Sequence, residues 1–426
     1  MDFIAELRHR ELLQDITPGL EQHLAEGKPV TGYIGFDPTA PSLTIGNYVP
    51  IMLLKFFQRS GHRPIMLFGG ATGRIGDPSG KDQERQLKSY DEIEANLAAQ
   101  RAQAEKLLTP EEGMHDVKFV DNHEFYRGMG ALDFLRDVGK TLTVNYMLSK
   151  DSVKTRLESG ISFTEFSYQL LQGYDFQRLY SDHGCTLEMG GSDQWGNITA
   201  GTEFVRRNLS GKAYGLTTPL LTKADGSKFG KSESGNIWLD PELTSPYQFY
   251  QFWINADDRD LSRYLRTFSL VPREELDALL RAANDDNPRP VKEALAEELT
   301  ARIHGQDALD NARAVSRLLF NRKASPEQLR ALSEGALATI SQEIPSAKVS
   351  RHSFDEKLSL IDLLSEHADI VASKSEARRA IKGNAISVNK QKIADVEATV
   401  GAEELLHGRY LMLENGKKNK VIVEAV

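Results

Sequence analysis

The chain has a single cysteine, Cys185, in 426 residues, so it can form no intrachain disulfide and no thiolate cluster for a zinc site. One cysteine suits a reducing compartment, and a cytoplasmic location is expected. Long apolar runs are missing too. No stretch is long enough to span a bilayer, and Met1-Asp2-Phe3 begins nothing like a signal peptide, so no membrane partner is expected. Internal repeats and low-complexity segments are also absent. The formal net charge of −9 excludes a chain that is basic throughout, though nucleic-acid affinity depends on a local patch and not on the total. What remains is ordinary for a folded protein, 40% hydrophobic and 27% charged, with length for about three domains.

The strongest local signal runs from Val30 to Gln58. Val30 to Phe36 alternates bulky and small residues like a buried strand, with Gly32 and Gly35 where a backbone or ligand can approach. A turn-rich loop, Asp37 to Ser42, leads to Thr44-Ile45-Gly46-Asn47, which opens an apolar helical run from Val49 to Phe57. Such a helix start offers free N–H groups and a positive dipole to an anion. Pro64 to Phe68, Val117 to Val120, Thr186 to Met189 and Leu216 to Thr222 read as further strands, with Ser89 to Leu108 and Ala131 to about Tyr180 helical between them. Phe3 to Leu24 reads as an amphipathic helix, with Pro18 near a break. The loop Gly69 to Lys81 resembles a phosphate cradle but fails the P-loop pattern: Gly76 is one position too close to Gly80-Lys81, and Asp82 stands where Ser or Thr would bind magnesium.

Strands alternating with helices predict an α/β fold, a Rossmann-like, mainly parallel sheet over residues 1–235 with a helical insertion at about 123–185. A helical domain over 236–322 follows, then a linker over 323–357 with one helix, Pro326 to Leu337. A small α+β unit over 358–426 completes the chain. The polar junctions fall at the carboxyl ends of the strands, where ligands bind in such sheets. Among them, Lys228-Phe229-Gly230-Lys231-Ser232 places two lysines three apart around a glycine, a cationic clamp suited to a polyphosphate.

These blocks together carry a family resemblance. Asp37-Pro38-Thr39-Ala40 with Ser42 to Asn47 resembles the first signature of class I aminoacyl-tRNA synthetases, and Lys228 to Ser232 resembles their second. Ile161 to Tyr168, Gln172 to Asp175 and Gly190 to Asn197 are similar to bacterial tyrosyl-tRNA synthetases, and the likeness covers essentially the whole chain. It implies a tyrosine–tRNA ligase that uses ATP with Mg2+, holds no structural metal, and serves tRNA(Tyr) as a homodimer, with the insertion around Phe163 at the subunit contact. Tyr33 and Asp175 would meet the substrate phenol, and Asp77, Tyr168 and Gln172 its α-ammonium. Tyr168, Gln172 and Asp175 fall at i, i+4 and i+7, one helix face.

For ATP, the resemblance carries over Gly35, Asp37 and Thr39 near the phosphates and Gly46 with Asn47 under the adenosine. Gly191, Asp193 and Gln194 go to the ribose and aminoacyl region, and Lys81, Arg85, Lys228 and Lys231 to the phosphates. Thr44 and Asn47 depart from the signature, replacing its two histidines. Thr44 is shorter and uncharged, which encourages a rival reading as an RNA-binding paralogue with a weakened active site. Tryptophanyl-tRNA synthetase, the nearest enzyme rival, is disfavoured by Tyr33 with Asp175 and by the tail.

That tail is mildly basic, with ten Lys and Arg against seven Asp and Glu from Ser373 to Val426. Ser373 or Ser375 can cap a helix whose apolar side is Ala377 and Ile381. Arg378, Arg379 and Lys382 lie on its other side, and Gly383-Asn384 ends it. The block resembles a small RNA-binding module first seen in a ribosomal protein, so Lys374, Arg378, Arg379 and Lys382 are RNA-binding candidates. Arg206 and Arg207 are candidates for the acceptor arm, and the helices after Ser245 for the anticodon side.

Overall fold

Gly32 lets a helix press directly onto a strand: a Cβ there would lie 3.0 Å from the Phe57 ring and 3.3 Å from Leu187 Cβ. That strand is one of six in the main sheet of a computed structural model. The strands are β1 Asp15–Ile16, β2 Thr31–Phe36, β3 Arg63–Phe68, β4 Lys118–Asp121, β5 Cys185–Gly191 and β6 Tyr214–Thr218. Their order is β1-β6-β5-β2-β3-β4, with β1 antiparallel to β6 and the other pairs parallel. The chain runs outward from β2 through β3 to β4, then returns to the opposite side of β2 as β5. A switch point therefore lies between β2 and β5, where a crevice opens at the strand carboxyl ends.

The structure describes residues 2–79, 88–150, 153, 154, 156, 160–227, 229–232, 235–283, 287–320, 324–416 and 419–426. They fall into two units, Met1–Leu243 with Asn255–Leu295, and Thr244–Ile254 with Ala296–Val426. In the first, helix Phe163–His183 starts at Ser162, whose hydroxyl accepts the Glu165 N–H at 3.2 Å, and stops at Gly184 with φ +60°. It crosses helix Trp195–Leu209 at very short range. A Cβ at Gly173 would lie 2.4 Å from the Phe204 ring, and one at Gly201 would lie 2.8 Å from both Phe176 and Glu188.

Several local expectations are corrected. The helix expected over Phe3 to Leu24 with a break near Pro18 is two helices, Phe3–His9 and Leu20–Leu24, and the interruption is wider than expected because it holds β1. Glu11 at φ +56° turns the chain out of the first helix, and the pairing of Asp15 and Ile16 with Thr217 and Leu216 holds the break extended. The helical run expected from Ala131 to about Tyr180 is interrupted: Ala131–Asp133 passes directly into Phe134–Gly139, and Val144–Leu148 and Phe163–His183 are separate helices. Thr143 and Ser162 each cap a fresh helix inside it. Strand β6 ends at Thr218 because the next residue, Pro219, has no N–H for the ladder.

The second unit contains helices Pro246–Ile254, Gln306–Phe320 and Glu334–Glu343 and a five-stranded sheet. In that sheet Gln391–Lys392, Ile386–Val388, Tyr410–Asn415, Asn419–Ala425 and Ser346–Val349 lie side by side in that order. Leu363, Ile381, Ile386, Leu411 and Val423 belong to its buried core. Among its described residues, the stretch expected as a linker with one helix holds three, Pro326–Arg330, Glu334–Glu343 and Arg351–Asp355, and Ser333 caps the second of them. It also supplies the strand Ser346–Val349, parallel to Asn419–Ala425.

Candidate functional site

A cavity of about 410 Å³ opens at the switch point of the first unit. At its floor Tyr33, on β2, stands directly opposite Glu188 on β5. The Tyr33 hydroxyl is buried and makes no hydrogen bond of good geometry with any described residue. Burial and the neighbouring Glu188 carboxylate push its ionisation well up. Beside it Asp175 is held from both sides: Asn122 Nδ2 donates to Oδ2 at 2.8 Å and Tyr126 OH to Oδ1 at 2.8 Å. Burial outweighs those bonds and pushes the Asp175 carboxyl up to about 8. Glu188 is likewise pushed up to about 7 by burial, against the lowering effect of Gln172, whose Nε2 donates to Oε1 at 2.8 Å.

The middle of the cavity is a chain of braced carboxylates. Asp37 accepts the Thr72 hydroxyl at 2.7 Å on one oxygen and the Tyr168 hydroxyl at 3.1 Å on the other. Asp77 accepts Gln194 Nε2 at 2.7 Å and the Ser79 N–H at 2.9 Å. Asn197, itself buried, donates to Asp77, Ser79 and Gln194. Tyr168, Gln172 and Asp175 line one wall together. In the loop after β3, the N–H groups of Gly70 and Ala71 donate to the side chains of Asp121 and Asn122. They are thus spoken for within the protein.

At the other end lies the start of helix Ile45–Arg59. Thr44 is its N-cap and forms a capping box with Asn47: the Asn47 N–H donates to Thr44 Oγ1 at 3.3 Å, while Asn47 Oδ1 accepts from the Thr44 N–H at 3.0 Å and hydroxyl at 2.8 Å. Thr39, Gly46, Asn47, Gly191 and Asp193 line this part of the cavity, and a Cβ at Gly35 would meet nothing within 4 Å. The lysine loop lies against the same helix start. Gly230, at φ +89°, comes so near that a Cβ on it would lie 3.2 Å from the Gly46 nitrogen, and Phe229 lines the cavity. The Ile237 N–H donates to Gly230 O, and the Ile45 N–H to Ile237 O. Lys231 pairs through its backbone with Asn236. Lys81, Arg85 and Lys228 lie outside the described residues.

The remaining candidates are elsewhere. Arg206 and Arg207 both pair with Glu203, whose carboxyl they hold down at about 2, and Arg207 also donates to the Thr141 carbonyl at 2.9 Å. In the second unit Ser373 caps helix Lys374–Lys382, Ala377 and Ile381 are buried, and Arg378, Arg379 and Lys382 are exposed. Lys374 pairs with Asp362 and Glu366. Asn384, at φ +54°, makes the left-handed turn that ends the segment.

Asn122, Tyr126 and Glu188 were missed as site residues. Asn122 follows the last residue of β4 directly, so its place at a strand's carboxyl end was a usable signal.

Residues 25–321 match the family described as tRNA synthetases class I (W and Y), and residues 336–423 match the tyrosine--tRNA ligase SYY-like C-terminal domain. A tyrosine--tRNA ligase of Cytophaga hutchinsonii is 50% identical over 421 residues, 98% of each chain. One of Porphyromonas gingivalis is 48% identical over 429 residues, 99% of each. Among solved structures, a C-terminally truncated mitochondrial tyrosyl-tRNA synthetase of Aspergillus nidulans is similar with a TM-score of 0.67 at 33% identity, covering 75% of this chain and 94% of that one. With this match running the length of both units, the chain belongs to the class I tRNA synthetases, in the tyrosine--tRNA ligase family.

Proposed function

We propose that the cavity activates tyrosine with ATP, forming tyrosyl-adenylate and pyrophosphate, and that tRNA(Tyr) then takes the tyrosyl group on its terminal ribose. The observation that carries this reading is the floor, where the buried Tyr33 hydroxyl stands beside an Asp175 carboxyl fixed by Asn122 and Tyr126. A phenol can bond both groups. Phenylalanine would offer nothing to the Tyr33 hydroxyl, and an unpaired buried polar group is costly. The α-ammonium is assigned to Asp77, Tyr168 and Gln172: with Gln172 Nε2 held by Glu188, its carbonyl oxygen is the atom left to accept.

The tyrosine carboxylate attacks the α-phosphorus in line and pyrophosphate leaves, so charge builds on phosphate oxygens. Positioning and electrostatic stabilisation dominate such a step. Thr39, Asn47 and the helix start at Gly46 receive the nucleotide, with Gly191 and Asp193 at the ribose and Gln194 holding Asp77. Lys81, Arg85, Lys228 and Lys231 supply positive charge to the phosphates. Magnesium enters with ATP as substrate, on phosphate oxygens and its own waters. Thr44 serves the reaction through the capping box, which fixes Asn47.

The second unit binds RNA through Arg378, Arg379 and Lys382, and Arg206 reaches the acceptor arm. The protein works in the cytoplasm as a homodimer. Supporting the dimer, exposed large apolar side chains concentrate in the helical insertion: Leu132 at 81%, Leu135 at 53%, Val144 at 60% and Phe163 at 74% exposure. No helix among the described residues is long and apolar enough to cross a membrane.

Amino-acid-dependent exchange of pyrophosphate into ATP tests the reading. Tyrosine should support exchange while phenylalanine and tryptophan do not, and Asp175→Ala should abolish the tyrosine signal. Wild-type protein without tyrosine-dependent exchange would leave only RNA binding.

A further inference from the structure

Phe229 sits between the two lysines of the loop, and its ring is not left in solvent. It packs on Tyr264 at 5.2 Å and on Phe268 at 5.5 Å between ring centroids. Both partners lie on helix Leu261–Phe268 of the same unit, four residues apart and so on one face. That face also grips the base of the loop. Arg263 donates to the Thr222 carbonyl at 3.0 Å, and the Ala224 N–H donates to Asp260 Oδ2 at 3.1 Å. The Tyr264 hydroxyl donates to the same Asp260 oxygen at 3.3 Å. Asp260 is buried, so its bonds are well shielded from water. On its far side Phe268 stacks flat on Tyr48, one residue beyond Asn47, at 5.8 Å and an interplanar angle of 5°. One helix thus touches both ends of the loop and the signature helix it must meet.

We propose that Asp260, Tyr264 and Phe268 are positioning residues for Lys231: they fix Phe229 and Gly230 against Gly46 and so fix where the next residue, Lys231, begins. This rests on the assignment of Lys231 to the phosphates. Each aromatic pair contributes directional packing beyond its buried area, because offset and tilted ring contacts are electrostatically favoured. The lysine stems are long and flexible, so the placement of their backbone decides how far their charge must reach. A loop held only at its base would spread those charges over many positions. With Phe229 and Gly230 seated, the backbone that leads into Lys231 starts from one place, and less order is left to impose in the transition state.

The test compares Phe268→Leu and Tyr264→Phe with the full-length wild type, alone and combined with Lys231→Ala. Single-turnover adenylate formation and equilibrium tyrosine binding are both measured, with thermal unfolding as a check on folding. Phe268→Leu should slow adenylate formation roughly tenfold, since small misplacements of charged groups are that costly. Tyrosine affinity should stay within about twofold, because the floor of the cavity is untouched. Tyr264→Phe, which removes only the hydroxyl bond to Asp260, should act in the same direction and less, and it keeps the test valid if Phe268→Leu folds poorly.

In the Lys231→Ala background both effects should shrink sharply, because the group they position is gone. Full additivity with Lys231→Ala, or equal loss of tyrosine affinity and rate, would overturn the inference and leave these rings as core packing. If Lys231→Ala alone leaves the adenylate rate unchanged, the phosphate assignment fails and the inference falls with it.

Discussion

Thr44→Ala separates a capping role from a catalytic one. The Thr44 hydroxyl accepts the Asn47 N–H and donates to Asn47 Oδ1, both within the first turn of helix Ile45–Arg59. Loss of an N-cap of this kind costs about 1 kcal/mol. Even if the whole loss reached the transition state, adenylate formation would slow by only about fivefold. Thr39 differs. Its N–H is fixed on the Asp37 carbonyl at 2.8 Å and its side chain lines the cavity, where it can donate to a phosphate oxygen. Removing a bond to a charged group costs about 1.5–3 kcal/mol, or roughly tenfold to a hundredfold in rate. Stopped-flow measurement of adenylate formation at saturating tyrosine and ATP should therefore rank Thr39→Ala as the slower variant. Thr44→Ser, which keeps the capping oxygen, should recover the wild-type rate and denaturation midpoint. A larger defect in Thr44→Ala than in Thr39→Ala, or no recovery with serine, would refute the capping account.

Three further outcomes are expected. Asp175 and Glu188 hold their protons in the fold up to about 8 and about 7, whereas an unfolded chain releases them near 4. Their contribution to stability is therefore complete below about pH 4 and is lost as pH rises through the folded values, so the denaturation midpoint of Asp175→Asn should vary less between pH 5 and 8 than that of the wild type. In tRNA binding, Arg378→Ala and Arg379→Ala should each lower the slope of log affinity against log salt by about one, and an unchanged slope would remove these side chains from the interface. Finally, an ammonium near Gln172 favours the ionised form of Glu188, so tyrosine binding at pH 7 should release protons. Calorimetry in buffers of different ionisation enthalpy would read this, and Glu188→Gln should lower the number of protons released, with an unchanged number ruling Glu188 out as a source.

How much of this was legible follows from the range of the interactions. The strand from Thr31, the apolar helix after Thr44 and the shared wall of Tyr168, Gln172 and Asp175 are written in local periodicity, and local periodicity survives folding. Pro18 marks a break in the N-terminal helix, but the strand inside that break is not legible, because Asp15 and Ile16 become a strand only by pairing with residues some two hundred positions away. Ser346–Val349 was hidden for a similar reason. Its composition is that of a linker, and its parallel partner lies at the end of the chain. Glu188 looked like one polar position in a buried strand. Only the register that sets it opposite Tyr33, together with Gln172 arriving from another helix, makes it part of the floor. Thr44 was legible as a departure from the signature but not as an explanation. Serine, threonine and asparagine are common at helix starts, and the reciprocal bond with Asn47 appears only in three dimensions.

The geometry also changes how Asp37 is read. Resemblance places it near the ATP phosphates, yet a carboxylate there would repel them. Its two oxygens take the hydroxyls of Thr72 and Tyr168. A Cβ at Gly69 would lie 2.1 Å from Asp37 Oδ1, so the loop after β3 closes tightly on the same group. Asp37 is then better understood as the brace between the two halves of the cavity. It ties β2 to the Thr72 turn and to the helix carrying Tyr168, whose hydroxyl is driven well up in its ionisation by burial first and by the neighbouring carboxyl groups of Asp37, Asp77 and Asp175. The acidic side therefore suits the substrate ammonium. The helix start at Gly46 forms the opposite side, with its positive dipole, and the lysines proposed for the phosphates would add their charge there. Tyrosine and ATP differ in the sign of the charge each must bury, and a cavity with one acidic and one positive end orients both before any bond is made.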